Sequence, residues 1–519
     1  MTTRSAATVD TPAGTRALPA GETARFLGLL TLYVLTHVAL RLLVSPTLTI
    51  DDSRETVFGQ TLEWGYLPRQ PPLYNWLVWA AFRVFGVGLL SLTLVKYALL
   101  FLAYTFVYLS GRRILSDGGN GRLAALGAFS LLLMVPVNWV VHEALTHSVA
   151  ALASAAATFY VLLRLEASGS VPAYLAFGLV LALGILSKFS YAFFGGALVL
   201  AALTVGPFRR RILDPRIGLT ALVTVALVAP YLFWFYGRAY AFAPMYADEV
   251  GVGESRTYFA GVASGLYYLV RVTLYYLTPL WIVFLVVFRG GWARRSSATG
   301  FVGPGGRLLE RFLLAEVALL LAGVLVGGVT YLKFRWMLPV YILCPLYALA
   351  WLRRDATTTP RLTRLACTIL AAELAVVVAF PVSVLRGDLL GRPSRLNAPY
   401  REVAAGLAAT GFTGGTIIAG DGALAGNLRL RFPAARVARL TNPDYLPPGS
   451  GGGQCLVLWE KAPVDRVPDD IRDWILGALR TDLAGVGPVR VIDARYLYAR
   501  DTTLRVAYVL VPEGLGRCG

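Results

Sequence analysis

The first 385 residues alternate between long apolar runs and short polar connections. A helix of about 18 or more apolar residues is long enough to cross the ~30 Å hydrocarbon layer of a bilayer. The pattern therefore predicts about eleven membrane-spanning helices, at residues 26–45, 88–110, 122–141, 147–165, 173–187, 191–207, 217–236, 262–288, 309–329, 337–352 and 363–385.

After about residue 386 the pattern changes to short apolar strands separated by helical and glycine-rich stretches. Candidate strands at residues 415–420, 455–460, 489–499 and 504–512 alternate with candidate helices at 399–410 and 469–480. This alternation indicates a small α/β domain. The predicted organisation is therefore a polar, disordered N-terminal segment (1–25), a transmembrane domain (26–385) and a C-terminal domain (386–519).

Composition agrees with a polytopic helical membrane protein. Of 519 residues, 56% are hydrophobic and only 15% are charged, whereas a soluble protein carries roughly a quarter charged residues. The net charge of +18 would suit nucleic-acid binding, but the arginine clusters fall between apolar runs, at residues 112–113, 209–211, 294–295 and 353–354. Cytoplasmic loops accumulate such residues. We therefore predict no nucleic-acid partner, a cytoplasmic N-terminus and an extracytoplasmic C-terminal domain.

Two adjacent carboxylates follow the first apolar run, in the sequence TIDDSRETVF (49–58). Asp51 and Asp52 repel one another, and desolvation at the lipid boundary raises the pKa of at least one of them. That setting suits a general base. Arg54 lies one helical turn after Asp51 and can keep one acid ionised or hold a substrate phosphate. The acid pair is also a candidate ligand set for a divalent cation such as Mg²⁺ or Mn²⁺.

The same predicted outer loop (46–87) continues into RQPPLYNW (69–76). Its prolines predict a stiff turn leading into a helix. The rings of Tyr74 and Trp76 are either interfacial anchors or a platform for a sugar, and Arg69 and Gln70 precede the turn.

Further cations are predicted at the outer face, against the positive-inside tendency. Lys188 ends the fifth run, and Lys333 and Arg335 lie between the ninth and tenth. Together with Arg54 and Arg69 they indicate an anionic ligand. Lys96 and Arg271 lie inside runs, where a charge is costly; each either extends to the headgroups or grips a lipid-linked phosphate.

The hexapeptide HEALTH (142–147) is one residue too long for a zinc protease. A metal-binding helix of that class needs H-E-x-x-H, which places both imidazoles on one face, whereas His142 and His147 are five residues apart. Glu143 and His147 are four apart and are predicted to hydrogen-bond. His142 and Glu143 are predicted to border a site.

The order of these features resembles a known family. A first span, an acidic pair followed by x-Arg, and Pro-Pro-Leu-Tyr-x-Trp are similar to the first outer loop of the lipid-linked-sugar glycosyltransferases of GT-C fold. This group contains protein O-mannosyltransferases, aminoarabinose transferases acting on lipid A, and galacturonosyl transferases of rhizobial lipopolysaccharide. LGILSKFSYAF (183–193) and KFRWMLPVYILCPLYAL (333–349) resemble two further family segments.

The resemblance implies a GT-C fold and transfer of a sugar from a polyprenyl-phosphate donor to a lipid, glycan or protein hydroxyl, with inversion. It implies that Asp51 is the base and that Asp52 orients the acceptor. Arg54, Arg69, Lys188, Lys333 and Arg335 would then stabilise the departing phosphate. The aminoarabinose transferases have a lysine where this chain has Gln70, so Arg69 is its expected substitute, and the transferred sugar stays open.

Two alternatives from other classes are a transporter or lipid flippase and a non-enzymatic partner of a polysaccharide machine. Transporters place their sites at mid-membrane within repeated halves, and we find no internal repeat. The residue usage looks bacterial, which favours the inner membrane with a periplasmic active site. Cys455 and Cys518 can pair if the C-terminal domain is extracytoplasmic.

Overall fold

A computed structural model gives the architecture of the chain. It describes residues 20–115, 121–238, 247, 250–251, 257–289, 303–352, 358–387, 393–449, 453–460, 463–483, 486–512 and 518. Most of the predicted disordered segment (1–25) and the arginine clusters at 294–295 and 353–354 lie outside these residues. Residues 20–25 are helical, so the first helix begins before the predicted span does.

The N-terminal three quarters of the described chain is a helical bundle. Its helices are α1 (Ala20–Val44), α2 (Ile50–Phe58), α3 (Leu73–Phe85), α4 (Leu89–Ile114), α5 (Gly121–Phe129), α6 (Val141–Glu143), α7 (Thr146–Ser168), α8 (Val171–Ser187), α9 (Tyr191–Thr204), α10 (Gly206–Ile212), α11 (Ile217–Tyr236), α12 (Tyr258–Val287), α13 (Pro304–Leu325), α14 (Cys344–Trp351) and α15 (Thr359–Leu385).

The centre of the bundle is α7, which packs against α4 and α8. Its sequence THSVAALASAAATFY is rich in alanine and serine, and nearly every residue in its first half is buried. Small side chains let neighbouring backbones approach closely, which is how helices associate in a membrane.

Fewer helices than predicted are long and apolar enough to cross a membrane by themselves. Within the described residues six qualify: Gly21–Val44, Leu89–Ile114, Thr146–Ser168, Ile217–Tyr236, Tyr258–Val287 and Thr359–Leu385. Two further pairs, Gly121–Leu133 with Pro136–Glu143 and Tyr191–Thr204 with Gly206–Ile212, are bent by 80° and 114° and would raise the number to eight.

The predicted span at 337–352 is wrong. Residues 334–343 form a short 3₁₀ turn and irregular chain, and only α14 is α-helical. An eight-residue helix extends about 12 Å, which is too short to cross. Pro339 and Pro345 explain the interruption, since each lacks the backbone N–H that a continuous helix requires.

The C-terminal domain is a mixed five-stranded sheet with helices packed against it. Strands β1 (Gly415–Ala419), β2 (Arg436–Arg439), β3 (Gln454–Trp459), β4 (Arg490–Tyr496) and β5 (Ala499–Val511) lie in the order β2-β1-β3-β5-β4. β1 pairs parallel with β2 and β3, and β5 pairs antiparallel with β3 and β4. The helices are α16 (Tyr400–Ala409), α17 (Gly422–Arg431) and α18 (Asp469–Leu479).

Four of these strands were predicted, whereas β2 was not. Its sequence, Arg-Val-Ala-Arg, is too short and too polar to show alternation. Cys455 on β3 and Cys518 near the C-terminus form a disulfide that spans 63 residues. The bridge ties the end of the chain to the central strand.

Helix α17 joins the two parts of the molecule by packing directly on α2. Ser53 Oγ donates to the carbonyl of Gly422 at 2.6 Å and accepts from the backbone N–H of Gly426 at 3.0 Å. Asn427 Oδ1 accepts from the backbone N–H of Leu48 at 2.8 Å. The short helix that carries the acid pair is therefore held by the C-terminal domain as well as by the bundle.

Candidate active site

The acid pair lies in the first turn of α2. Thr49 caps this helix, because its hydroxyl oxygen accepts from the backbone N–H of Asp52 at 3.2 Å. Side chains such as threonine satisfy the otherwise unpaired N–H groups at a helix start. Adjacent residues point about 100° apart around a helix, so Asp51 and Asp52 face different surroundings.

Asp52 faces inward and is locked in place. Its side chain is only 4% exposed, and Oδ1 lies 3.4 Å from Lys96 Nζ. Oδ2 accepts from the hydroxyl of Thr49 at 2.9 Å. The carboxylate borders a small polar cavity that is also lined by Lys96, Arg41, Tyr97 and His142, among others. Lys96 is therefore directed into the protein rather than towards headgroups.

Asp51 faces the other side and retains 13% exposure. Its Oδ2 accepts from the backbone N–H of Leu145 at 3.0 Å, and Oδ1 lies 3.8 Å from Arg54 Nη2. Burial alone would raise the pKa of Asp51, but Arg54, then Arg335, the Leu145 N–H and Lys96 together lower it below its ordinary value. The expected rise in pKa is therefore wrong for Asp51, because nearby cations outweigh its desolvation.

A third carboxylate, Glu55, belongs to the same cluster. It lies one helical turn after Asp51 and its side chain is fully buried. Oε1 lies 3.3 Å from His147 Nε2 and 3.1 Å from Arg54 Nη2, while Oε2 accepts from Asn75 Nδ2 at 2.5 Å. Burial raises the pKa of Glu55, yet His147 and Arg54 lower it overall. Glu55 is not among the site residues predicted from the sequence, although its i, i+4 spacing from Asp51 places the two residues on one face of a helix.

The predicted hydrogen bond between Glu143 and His147 is wrong. α6 ends at Glu143, and α7 begins at Thr146 after Leu145 adopts a left-handed conformation with φ of 73°. The two side chains therefore do not share a helix. His147 is directed to Glu55, and Glu143 accepts a hydrogen bond from Trp139. The break serves the site, because it presents the Leu145 N–H to Asp51.

Lys188 and the segment around Arg335 meet at the end of α8. Lys188 Nζ donates to Ser148 Oγ at 2.6 Å and to the carbonyl of Arg335 at 2.9 Å. Ser148 Oγ also donates to that carbonyl, at 3.0 Å. These bonds fix the position of the Arg335 backbone, whose guanidinium is among the cations that lower the pKa of Asp51.

A groove is lined by two cations, Arg69 and Lys188, and is called the polar groove for them. Trp336, Phe189 and Phe193 form much of its apolar wall. Lys333 Nζ lies 5.4 Å from the centre of the Trp336 ring, so a third predicted cation borders the same groove through a cation–π contact.

The polar groove borders a second, apolar groove between α12, α13 and the chain around Tyr341. The two grooves share Leu320 and Val340. The second is lined mainly by hydrophobic side chains, including Leu269, Leu277, Trp281, Leu313 and Val317. The groove that contains the cations and the groove with the apolar lining therefore share part of their walls.

The aromatic residues of the predicted outer loop lie near the acids in different ways. Tyr74 is fully buried beside His147, with ring centroids 5.5 Å apart, and its hydroxyl has no hydrogen-bond partner among the described residues. Burial, and then Asp52, Glu55 and Asp51, raise the pKa of Tyr74. Trp76 donates from Nε1 to the carbonyl of Glu63 at 2.7 Å.

Other predicted residues take lesser positions. Gln70 is half-buried, and its Oε1 finds no partner among the described residues. His142 Nδ1 and the Tyr97 hydroxyl share a hydrogen bond of 2.7 Å. The imidazole ring of His142 stacks on that of His37. Arg271 is exposed on α12.

The surroundings of Asp51 and Asp52 do not suit a divalent cation. Each carboxylate faces a cation and accepts a hydrogen bond from a threonine hydroxyl or a backbone N–H, and the two point in different directions. Within the described residues no group of three or more histidines, cysteines or acids could hold a metal ion. The described surroundings of this pair therefore do not support the predicted Mg²⁺ or Mn²⁺ site.

The chain is similar to characterised glycosyltransferases. A family model described as dolichyl-phosphate-mannose-protein mannosyltransferase matches residues 69–234. The lipopolysaccharide core galacturonosyltransferase RgtB of Rhizobium johnstonii is 31% identical over 489 residues, 93% of this chain and 97% of that protein. RgtA of the same organism, also a lipopolysaccharide core galacturonosyltransferase, is 30% identical over 443 residues, 83% of this chain and 85% of that protein.

Among solved structures, the fold is similar to that of ArnT from Cupriavidus metallidurans bound to undecaprenyl phosphate. The TM-score is 0.60, with 96% of this chain and 99% of that chain covered at 14% identity. At that identity the likeness concerns the fold, namely a helical membrane bundle followed by a small domain with a sheet.

Proposed function

Because this chain belongs to the GT-C glycosyltransferase family that includes the lipopolysaccharide core galacturonosyltransferases, we propose that it transfers a galacturonosyl residue from a polyprenyl-phosphate donor. The proposed acceptor is a hydroxyl group of the lipopolysaccharide core, and the proposed site of reaction is the periplasmic face of the bacterial inner membrane. The sugar and acceptor are those in the names of the two relatives.

The observation that carries the proposal is the position of Asp51. Its carboxylate is 13% exposed and is fixed by the Leu145 N–H and Arg54, whereas the carboxylate of Asp52 is 4% exposed and lies against Lys96. Asp51 is therefore the more exposed acid of the pair, which supports an approach of the substrate hydroxyl to Asp51. This favours Asp51 as the general base and a structural role for Asp52, which supports α2 from inside.

In the proposed reaction, the acceptor oxygen attacks the anomeric carbon opposite the phosphate and the bond from that carbon to the phosphate oxygen breaks. The bonding electrons leave with the lipid phosphate, the hydroxyl proton passes to Asp51, and the configuration inverts. Because the pKa of Asp51 is lowered, this base is ionised but weak. It suits a transition state in which the glycosidic bond is already breaking and the attacking hydroxyl has become acidic.

The departing phosphate gains negative charge, and the polar groove supplies cations for it. Arg69 and Lys188 line that groove, and Lys333 borders it over Trp336. Preorganised donors of this kind contribute about 3 kcal/mol each to transition-state stabilisation. The adjoining apolar groove shares Leu320 and Val340 with the polar groove and is the proposed binding site of the polyprenyl tail.

Reconstitution of the purified protein tests the proposal. In proteoliposomes with polyprenyl-phosphate galacturonate and lipopolysaccharide core acceptor, we expect the wild type to transfer the sugar and Asp51→Asn to lose about 10³-fold or more in turnover while retaining donor binding. The exposed Asp444→Asn is the matched control and should keep wild-type turnover. Near-normal turnover by Asp51→Asn would show that another group is the base.

A further inference from the structure

Strand β2 of the C-terminal domain runs beside α2 and brings Arg439 to it. The side chain of Gln60 donates to the carbonyl of Val437 and accepts from its N–H, both at 2.8 Å. Arg439 follows two residues later, about 7 Å further along the strand. Val437 is thus held beside the end of α2, and Arg439 lies further along the same strand.

The guanidinium of Arg439 lies against the start of α17. A Cβ atom on Gly422 would be 2.3 Å from Arg439 Nη2, so a larger residue at this position would displace the guanidinium. The carbonyl of Gly422 accepts from Ser53 Oγ at 2.6 Å. Ser53 lies between Asp52 and Arg54 in the sequence, so one residue separates Arg439 from the catalytic helix.

Arg439 is almost completely buried. The residue is 7% exposed, Nε donates to Thr441 Oγ1 at 2.7 Å, and Nη1 has no hydrogen-bond partner among the described residues. No ion pair joins it to a described acid. Asp421 uses Oδ1 to accept from the Ala423 N–H, and Glu55 is bound by His147, Arg54 and Asn75.

The charges around this guanidinium favour an anion. Burial, and then the charge of Arg54, lower the pKa of Arg439 to about 10, although Asp421 and Glu55 act in the opposite direction. The N-terminus of α17 adds a partial positive charge at the same place, part of which is offset by its N-cap residue Asp421. An anion bound to Arg439 would compensate its buried positive charge.

We infer that Arg439 recognises the carboxylate of an acidic sugar, and that this carboxylate belongs to the donor. The inference rests on the proposed function. In a uronosyl donor the carboxylate is attached directly to the same ring whose anomeric carbon reacts near Asp51. A planar guanidinium binds a carboxylate through two parallel hydrogen bonds, which a neutral hydroxymethyl group cannot reproduce. Arg439 would thus give the C-terminal domain a direct part in sugar selection.

Paired donors that differ only in this group provide the test. Transfer and equilibrium donor binding are measured in proteoliposomes with polyprenyl-phosphate galacturonate and polyprenyl-phosphate galactose. We expect Arg439→Met to lower kcat/KM for the galacturonosyl donor roughly 10- to 100-fold, as for a lost hydrogen bond to a charged group. Transfer and binding of the galactosyl donor should stay within about 3-fold of wild type. Arg436→Met, at the other end of β2, is the control and should leave transfer and binding of both donors unchanged.

A second variant removes the recognition while keeping the charge. In Gly422→Ala the new Cβ displaces the guanidinium, so the same selective loss is expected. Thermal unfolding in detergent is measured alongside. The inference is overturned if a variant of wild-type stability shows equal losses of kcat/KM with the two donors. It is also overturned if a variant shows no loss with either donor.

The acceptor is the other source of a carboxylate. The assay is repeated with an acceptor whose carboxyl groups have been reduced to hydroxymethyl groups. If the defect of Arg439→Met disappears with that acceptor, Arg439 binds a carboxylate of the acceptor and the donor assignment is overturned. If the defect persists, the donor assignment is supported. A wild-type protein that transfers neither sugar would instead contradict the proposed function itself.

Discussion

Glu55 Oε1 lies 3.3 Å from His147 Nε2 at the start of α7, inside the protein. The same oxygen lies 3.1 Å from Arg54 Nη2, and Arg54 in turn reaches Asp51. Glu55 therefore connects the acid-bearing helix to the centre of the bundle, and it holds Arg54 in the position from which the guanidinium lowers the pKa of Asp51.

We expect Glu55→Gln to reduce both stability and transfer. Removing one partner of a buried ion pair costs about 3–5 kcal/mol, because the remaining charge stays buried without compensation. Here Arg54 and His147 would lose their common carboxylate. Thermal unfolding in detergent and transfer in proteoliposomes measure the effect. Glu63→Gln, at an exposed position of the same loop, should leave both unchanged, and equal stability of the two variants would refute the structural role of Glu55.

Stability should depend on pH through the same carboxylates. The pKa values of Asp51 and Glu55 are lowered from their ordinary values of 3.8 and 4.5, so the folded state binds protons less readily than the unfolded state. Their contribution is fully present above pH 4.5 and is lost as the pH falls through the lowered values.

Unfolding temperatures between pH 7 and pH 3 check this dependence. The difference between wild type and Glu55→Gln should be constant above about pH 5 and should shrink on acidification. A difference that grows as the pH falls would mean that the pKa of Glu55 is raised rather than lowered.

The contact between α17 and α2 should control activity from the C-terminal domain. A Cβ atom on Gly426 would lie 2.1 Å from the carbonyl oxygen of Ser53, so Gly426→Ala must move α2 or α17. We expect a loss of about 10- to 100-fold in kcat, because displacements near 1 Å have such effects on reacting groups.

Gly477→Ala is the matched control for that substitution. Gly477 lies in α18, where an added Cβ meets nothing within 4 Å, and alanine favours a helix. This variant should keep wild-type turnover. Unaltered turnover in Gly426→Ala would mean that the position of α2 does not depend on the C-terminal domain.

Lys188→Met should weaken the use of the lipid donor. The substitution removes a cation from the polar groove and releases the carbonyl of Arg335, to which Lys188 donates. We expect roughly a 100-fold loss in kcat/KM, measured by varying the donor concentration at a saturating acceptor concentration. Arg271→Met removes an exposed cation from α12 and should change kcat/KM little. Equal losses in the two variants would indicate a general charge effect rather than a site at Lys188.

Much of the architecture could be predicted because its causes are local. The apolar runs that give α1, α4, α7, α11, α12 and α15 are determined by composition within each run. The strands β1, β3, β4 and β5 follow from short apolar segments between turn residues. The failures, such as 337–352 and β2, occur where prolines interrupt an apolar run or where a strand is too short to show a pattern.

The sequence by itself determined that this is a polytopic membrane protein with an acid pair just after its first span and cations at several span ends. Hydrophobicity and charge act over a few neighbouring residues, so the order of the chain is enough to reveal them.

Only the tertiary structure decided which acid is accessible and what surrounds it. The carboxylate of Asp51 accepts a hydrogen bond from Leu145, which is 94 positions away. The hydroxyl of Ser53 accepts one from Gly426, which is 373 positions away. Contacts between such distant segments depend on which helix faces pack together, and this information is not contained in any local pattern.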